Sequence, residues 1–435
     1  MSDRAVVIGG GAIGIACAHF LTSAGFAVTV VDRGEVGRGC SFANAGLIVP
    51  GDPYPLPGPG VVREGLRHLA RRDGPFAIRP RLDPSLARWL WTFRRSSDGV
   101  TYERGKAALA SLSRASLQLY EDLAAAGEID FGFRRVSLIR VFLSPGWRAP
   151  TRTGVRDLQA MGFRASVLEP DELRELEPAL APAVGGGVVV EGQASGDCFA
   201  YVRSLAARLR SRGVRILERR RVHHVVVRDG RACGVSVAET SAGRGWAREE
   251  IPADLVVLAA GAWTPALSSA LGLRVPIQPA TGYSATVPTW SGAPRQPLMV
   301  EERHVAITPL GDRVRIGGTL ELSGFRTSPD PVRAGAVLRG AGEALAEPPP
   351  AQPVDTWFGF RPLTPDDLPL IGWAPGVRAL IVAAGHGTLG FTQSPITGKL
   401  VAELACGEPT SVPLEPFRPD RFGRRVRAHG SRRSP

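Results

Sequence analysis

Gly9-Gly10-Gly11-Ala12-Ile13-Gly14 has the spacing G-x-G-x-x-G. It stands between an apolar β-branched run at 5–8 and a segment of helical periodicity at 13–24, with Gly25 placed to end the helix. A second buried run, 27–31, follows, so the first thirty residues read as a parallel strand–helix–strand unit. Each glycine has a physical task. Gly9 makes the tight turn, Gly11 lets a pyrophosphate approach the backbone, and Gly14 lets helix and strand pack closely. The helix start then offers free N–H groups and a positive dipole end to phosphate. Asp32 closes the second strand, where a carboxylate can accept from ribose hydroxyls. The unit predicts dinucleotide binding and by itself does not separate FAD from NAD.

The chain has 435 residues, which predicts two interleaved domains. Its five cysteines, Cys17, Cys40, Cys198, Cys233 and Cys406, include no C-x-x-C pair. This argues against a disulfide framework and a cysteine zinc site, and a reduced cytosolic setting is expected. The start reads as neither a signal peptide nor a transmembrane segment. The net charge of +12 is carried almost wholly by arginine, since Lys106 and Lys399 are the only lysines. This blanket use of arginine, spread along the chain, does not read as a clustered nucleic-acid patch, so nucleic acid is not an expected partner. The arginine-rich stretch 413–435 is expected to be a solvated tail, with attraction to an anionic membrane as a lesser reading.

Residues 51–60 are rich in Pro and Gly and read as loop. Helices are predicted at 85–93, 107–126, 170–176, 199–212 and 394–406. Strands are predicted at 214–217 and 253–260, and a hairpin at 222–238 turns at Asp229-Gly230. His223-His224 lies on a predicted strand without an acid cluster and reads as structural; no metal site is expected.

Two further segments carry a resemblance. Residues 254–263, D-L-V-V-L-A-A-G-A-W, are similar to the A-x-G-x-W strand of amine- and D-amino-acid-oxidising flavoproteins. Residues 360–372 and 385–392 resemble the pattern G-x-R-P-x-T-P-D-x-x-P-x-x-G … G-H-G-x-x-G. Residues 41–46, 196–198, 282–284 and 313–318 add further matches. Over most of its length the chain resembles the glycine/D-amino-acid oxidase superfamily, nearest its bacterial D-amino-acid dehydrogenase (small-subunit) branch. The resemblance implies an α/β fold: a discontinuous Rossmann-like FAD-binding domain (1–60, 185–265 and 355–412) with an inserted α+β substrate domain on a mixed sheet (61–184 and 266–354).

It also implies FAD as cofactor, held by Gly9, Gly11, Ala12, Ile13, Gly14, Asp32, Arg33, Ser41, Asn44, Ala45, Gly46, Val222, Ala260, Gly261, Trp263, Gly385, His386, Gly387, Thr388, Leu389 and Gly390. Attachment is expected to be non-covalent, because Ala43 and Pro362 stand where some relatives carry the attaching residues. The glycine turn 385–390 is expected to open the helix at 394–406 with its N-terminus toward the flavin.

Arg361 matches the arginine that holds the substrate carboxylate in the amino-acid oxidases, a task suited to a guanidinium fork. The competing reading pairs it structurally with Asp366 or Asp367. The tyrosines that assist in those oxidases are missing from 306–308, which leaves Tyr283 or His304 as candidate second contacts. His386 is a candidate base, more plausibly a residue packed beside the flavin.

The implied reaction is oxidative deamination of a small D-amino acid: hydride passes from the α-carbon to flavin N5, and the imine hydrolyses to a 2-oxo acid and ammonia. A cyclic imino acid or secondary amine is the alternative substrate. A non-catalytic FAD-binding subunit is the alternative outside enzymes. The expected acceptor is a quinone or another carrier, because Arg315 matches the position of an oxygen-promoting lysine in sarcosine oxidases. The stripe Leu86, Trp89, Leu90 and Phe93, with Arg88 and Arg95 opposite, could rest on a membrane or pack inside the protein.

Overall fold

A computed structural model describes residues 2–42, 44–63, 65, 74–241 and 248–423. Ala43 and the chain beyond Gly423 lie outside the described residues. The first sheet has six strands in the order Leu370–Trp373, Leu380–Ala384, Leu255–Leu258, Arg4–Ile8, Ala27–Val31 and Arg215–Leu217. All neighbours are parallel except the first pair. These strands are short, apolar and buried on both sides, as a parallel sheet covered by two layers requires. One face packs on the helices Ala12–Ser23, Cys198–Ser211 and Ser394–Cys406. The other is covered by the antiparallel sheet Arg220–Arg228, Arg231–Glu239 and Glu249–Pro252. Its first hairpin turns at Asp229 and Gly230, both at positive φ, the conformation that an Asp-Gly turn supplies at least cost.

The helix Ala12–Ser23 sits tight on the sheet. A Cβ at Gly14 would collide with the Gly9 carbonyl, and Gly9 itself has φ +112°. Ile15 and Leu21 of this helix are fully buried; each contributes about 1.5–3 kcal/mol relative to exposure.

The second sheet has ten strands. Its path runs Asp355–Leu363, Gln278–Pro288, Arg313–Leu322, Val305–Pro309, Leu298–Val300, Arg134–Phe142, Gly186–Ser195 and Leu47–Ile48. Phe76–Ile78 and Ala165–Leu168 pair at its side. Alternation divides its residues between two faces. Ile139, Tyr283, Val287, Val300 and Ile316 pack in one cluster with the helix Pro331–Gly342, while Gly282, Ser284, Met299 and Gly317, next to some of them in sequence, line a cavity.

Two expectations shift here. Gly186–Ser195 and Asp355–Leu363, grouped by sequence with the dinucleotide unit, hydrogen-bond into the larger sheet. The boundaries expected at 185 and 355 therefore move. The C-terminal stretch is also not a free tail as far as it is described. Phe417 is fully buried, and Arg421 makes two contacts with Asp366, at 2.7 and 2.9 Å. Among the described residues no helix is long and apolar enough to cross a membrane.

Candidate active site

One cavity of about 1120 Å³ lies between the two sheets. At one end is the glycine turn. The Asp32 carboxylate ties it together: one oxygen accepts from Gly10 N–H and the other from Gly34 N–H, each at 2.7 Å. Both oxygens keep acceptor capacity on the cavity side. Ser41 Oγ accepts from Ala12 N–H at 3.0 Å and joins the loop 41–46 to the helix start. At Gly11 the space for a Cβ meets only Ser41 Oγ, at 3.4 Å, so the backbone is bare toward the cavity. Arg33 stacks on Trp263, its Cζ 3.8 Å from the ring centroid.

Of the residues expected to hold FAD, Gly14 and Gly46 do not line the cavity, and all the others do. Gly14 acts through helix packing. Gly46, at φ +78°, lets its N–H reach Asn44 Oδ1 at 2.8 Å and shapes the loop. The turn 385–390 lines the cavity, but Phe391, Thr392 and Gln393 intervene before the helix begins. Ser394 at that helix start is buried against the Tyr120 hydroxyl, so the turn, not the helix terminus, faces the cavity.

Arg361 enters from the outer strand Asp355–Leu363 and lies across Gly282. Its Nη1 donates to the Thr319 carbonyl, and Thr319 has φ +61°. Among the described residues no carboxylate pairs with it. Asp366 is taken by Arg421, and Asp367 accepts from Leu56 N–H at 3.0 Å. Burial pulls the guanidinium below its ordinary pKa, opposed by nearby Cys40; it remains a cation. Tyr283 is among the residues that line the cavity, but its hydroxyl is committed elsewhere: it donates to Glu321 at 3.0 Å and accepts from Asp330 N–H at 3.3 Å. His386 Nε2 hydrogen-bonds Thr397 Oγ1 at 2.9 Å, while its Nδ1 is buried without a partner among the described residues. Burial pushes its pKa down to about 3, which keeps the ring neutral.

The helix expected at 85–93 spans Pro84–Ser96, capped by Asp83. Its apolar stripe turns inward: Leu86 and Trp89 are buried, and Trp89 Nε1 donates to the Leu363 carbonyl at 3.0 Å. Trp89, Leu90 and Phe93 wall the cavity. This corrects the membrane reading of that stripe, because burial against the larger sheet removes it from solvent. Arg315 does not line the cavity; its Nη1 donates to the carbonyls of Phe42 and Asn44. Sequence reasoning missed Asp52, Tyr54, Met299 and Ala306, which also line it. The Pro/Gly-rich composition of 51–60 signalled an irregular loop but not that two of its side chains face a site.

The family model of FAD-dependent oxidoreductases, DAO, matches residues 4–404. The chain belongs to this family. DAO relatives include the D-amino acid dehydrogenase of Cereibacter sphaeroides, 34% identical over 415 residues, covering 94% of this chain and 93% of that protein. The D-amino acid dehydrogenase of Methylobacterium nodulans is 35% identical over 420 residues, covering 95% and 97%. The DAO fold is shared with the solved glycine oxidase of Geobacillus kaustophilus, at TM-score 0.75 and 25% identity over 97% and 99% of the two chains. The bare turn at Gly11, the two acceptors of Asp32 and the size of the cavity fit the family's FAD.

Proposed function

We propose that this DAO-family oxidoreductase deaminates a D-amino acid to a 2-oxo acid and ammonia. One observation carries the reading: a buried guanidinium, Arg361, stands without a carboxylate partner among the described residues, in the same cavity as the dinucleotide turn. An α-carboxylate supplies the missing anion and can accept from the fork in two places. The names of the relatives at about one-third identity supply the D configuration. Bound FAD supplies a two-electron acceptor for the α-hydrogen. The protein's part is placement. Arg361 anchors the carboxylate, Gly282 leaves room for it to do so, and Trp89 with Phe93 excludes water from one wall. His386, neutral and hydrogen-bonded to Thr397, supports the turn 385–390. FAD is held without a covalent bond, since Ala43 and Pro362 stand where some relatives carry the attaching residues.

Electrons leave to a quinone or another carrier. Arg315 supports this reading: it is a guanidinium committed to two backbone carbonyls and not a free amine at the cavity. The test is anaerobic mixing of the yellow protein with D- and L-amino acids, sarcosine and hydroxyprolines. D-amino acids should bleach the flavin and the L-enantiomers should not. Stopped-flow reoxidation should then be faster with a quinone analogue than with air. Bleaching only by L-amino acids or by cyclic imino acids would overturn the substrate reading. Reoxidation by air at the turnover rate would overturn the acceptor reading.

A further inference from the structure

The strand Arg313–Leu322 changes partner at Thr319. Its residues 314–318 pair with 305–309, whereas Leu320 and Leu322 pair with Phe76 and Ile78. Thr319, between the two halves, has φ +61° and gives its carbonyl to Arg361. Residue alternation puts Leu320, Leu322 and their partners on one face, so an apolar stretch of sheet begins one residue beyond the carbonyl that Arg361 holds. The helix Pro84–Ser96 covers this stretch. Trp89 Nε1 donates to the Leu363 carbonyl, Gln278 Nε2 donates to Ser85 Oγ at 3.1 Å, and Arg81, just before the helix, donates to the Leu322 carbonyl at 3.0 Å. Three fastenings therefore hold the helix on the sheet. Trp89 stacks on Phe93 within it, ring centroids 5.2 Å apart.

The apolar residues between helix and sheet fall into two rows. Leu86, Trp89, Ala280, Leu322 and Leu363 are buried. Leu56, Phe76, Ile78, Leu90, Phe93 and Leu320 pack against them but stay partly open, and all six line the cavity. Large apolar side chains left open to an interior cavity forgo transfer free energy until an apolar group covers them. Trp89 carries the one polar side-chain group in the two rows, and its N–H is spent on Leu363. The polar residues nearby are engaged or exposed. Asp52 and Tyr54 stand beside Arg140, which Glu301 holds bidentately, and His304 adds to the field at Asp52. Asp367 accepts from Leu56 N–H, and Arg94 and His304 are exposed.

Resting on the amino-acid reading above, we propose that the partly open row is the side-chain pocket, that Phe76, Phe93 and Leu320 are specificity-determining residues, and that the substrate is a D-amino acid with a large apolar side chain, of leucine or phenylalanine type. Arg361 takes the carboxylate, and the side chain runs from there along Leu320 toward Phe93. A methyl group covers little of this wall. A polar side chain would give up its water and find no hydrogen-bonding side chain in return. Because the helix is fastened to the sheet, the pocket stands ready before the ligand arrives, which lowers the cost of binding.

The experiment compares D-leucine with D-alanine, which is shorter, and with D-asparagine, which has a similar shape and a polar end. In the wild-type holoenzyme kcat/KM should favour D-leucine over each by about 100-fold or more, since a single methylene in an apolar pocket is worth about 10-fold or more. A measurement without turnover accompanies it. 4-Methylpentanoate, which is leucine without its amino group, should perturb the flavin spectrum at lower concentration than propanoate, the same analogue of alanine. Phe93→Ala should cut the D-leucine to D-alanine ratio about 10-fold in a holoenzyme with full flavin content. Equal wild-type kcat/KM for the three amino acids, or a Phe93→Ala protein that loses flavin or keeps the wild-type ratio, overturns this inference and leaves the D-amino-acid reading standing. Flavin bleached by no D-amino acid removes that reading, and this inference with it.

Discussion

Arg361 crosses the neighbouring strand above Gly282, and its guanidinium occupies the space where a side chain at 282 would stand. Gly282 does not have a positive φ, so its backbone would tolerate alanine. The nearest obstacle is the guanidinium itself, whose Nη1, Cζ and Nη2 would all lie within 2.7 Å of the added Cβ. Gly282→Ala should therefore push the guanidinium aside, raising KM for the amino acid at least about 10-fold, in line with displacing a charge-assisted contact. Flavin content should be unchanged. Steady-state kinetics beside the flavin-to-protein absorbance ratio checks this; loss of flavin would show that the glycine serves the fold.

Arg361→Lys tests the anchor itself. A point charge cannot reproduce a two-pronged carboxylate contact. The expected loss in kcat/KM corresponds to roughly 1.5–3 kcal/mol. Wild-type kinetics in this variant would make Arg361 structural.

Arg421 and Asp366 form an ion pair whose side chains are only 14% and 10% exposed. Arg421 also donates to the carbonyls of Leu368 and Pro369. Arg421→Ala leaves a buried carboxylate unpaired, at a cost of about 3–5 kcal/mol. Thermal unfolding should show a clear drop in Tm, in contrast to Arg418→Ala at the exposed pair with Asp420.

Asp367 sets a pH dependence. Its carboxyl is pushed up to about 7, chiefly by burial, with Leu56 N–H lowering it and Asp366 and Asp52 raising it. The unfolded chain ionises near the ordinary value of 3.8. Between these values the folded state holds the extra proton, so stability falls as pH rises toward 7 and then levels. Asp367→Asn keeps an acceptor for Leu56 N–H and removes the titration. Its Tm advantage over wild type should be larger at about pH 8 than at about pH 4.5. An advantage independent of pH would mean that Asp367 ionises normally.

The glycine turn, Asp32, the Asp229-Gly230 hairpin and the buried parallel strands were legible in the sequence. Each rests on local chemistry: backbone sterics at glycine, a carboxylate two residues from an N–H, an apolar run of strand length. The strand Arg134–Phe142 was not legible, because arginines interrupt its apolar pattern. One of them, Arg140, is accommodated by Glu301, which opens the short 3-10 turn Glu301–Arg303 far along the chain. The inward turn of the helix Pro84–Ser96 was undecided for a related reason. An amphipathic stripe shows that a face must be covered, not what covers it, and the cover is the larger sheet around Leu363 and Leu322.

Arg361 is the clearest division. Its residue type and motif pointed to a carboxylate anchor, yet the sequence placed two aspartates within reach along the chain. Tertiary structure assigned Asp366 to Arg421, bound Asp367 to Leu56, and left the guanidinium facing a cavity. Pairing of charges depends on distances through space, and those follow from strand register across six strands that the chain visits out of order.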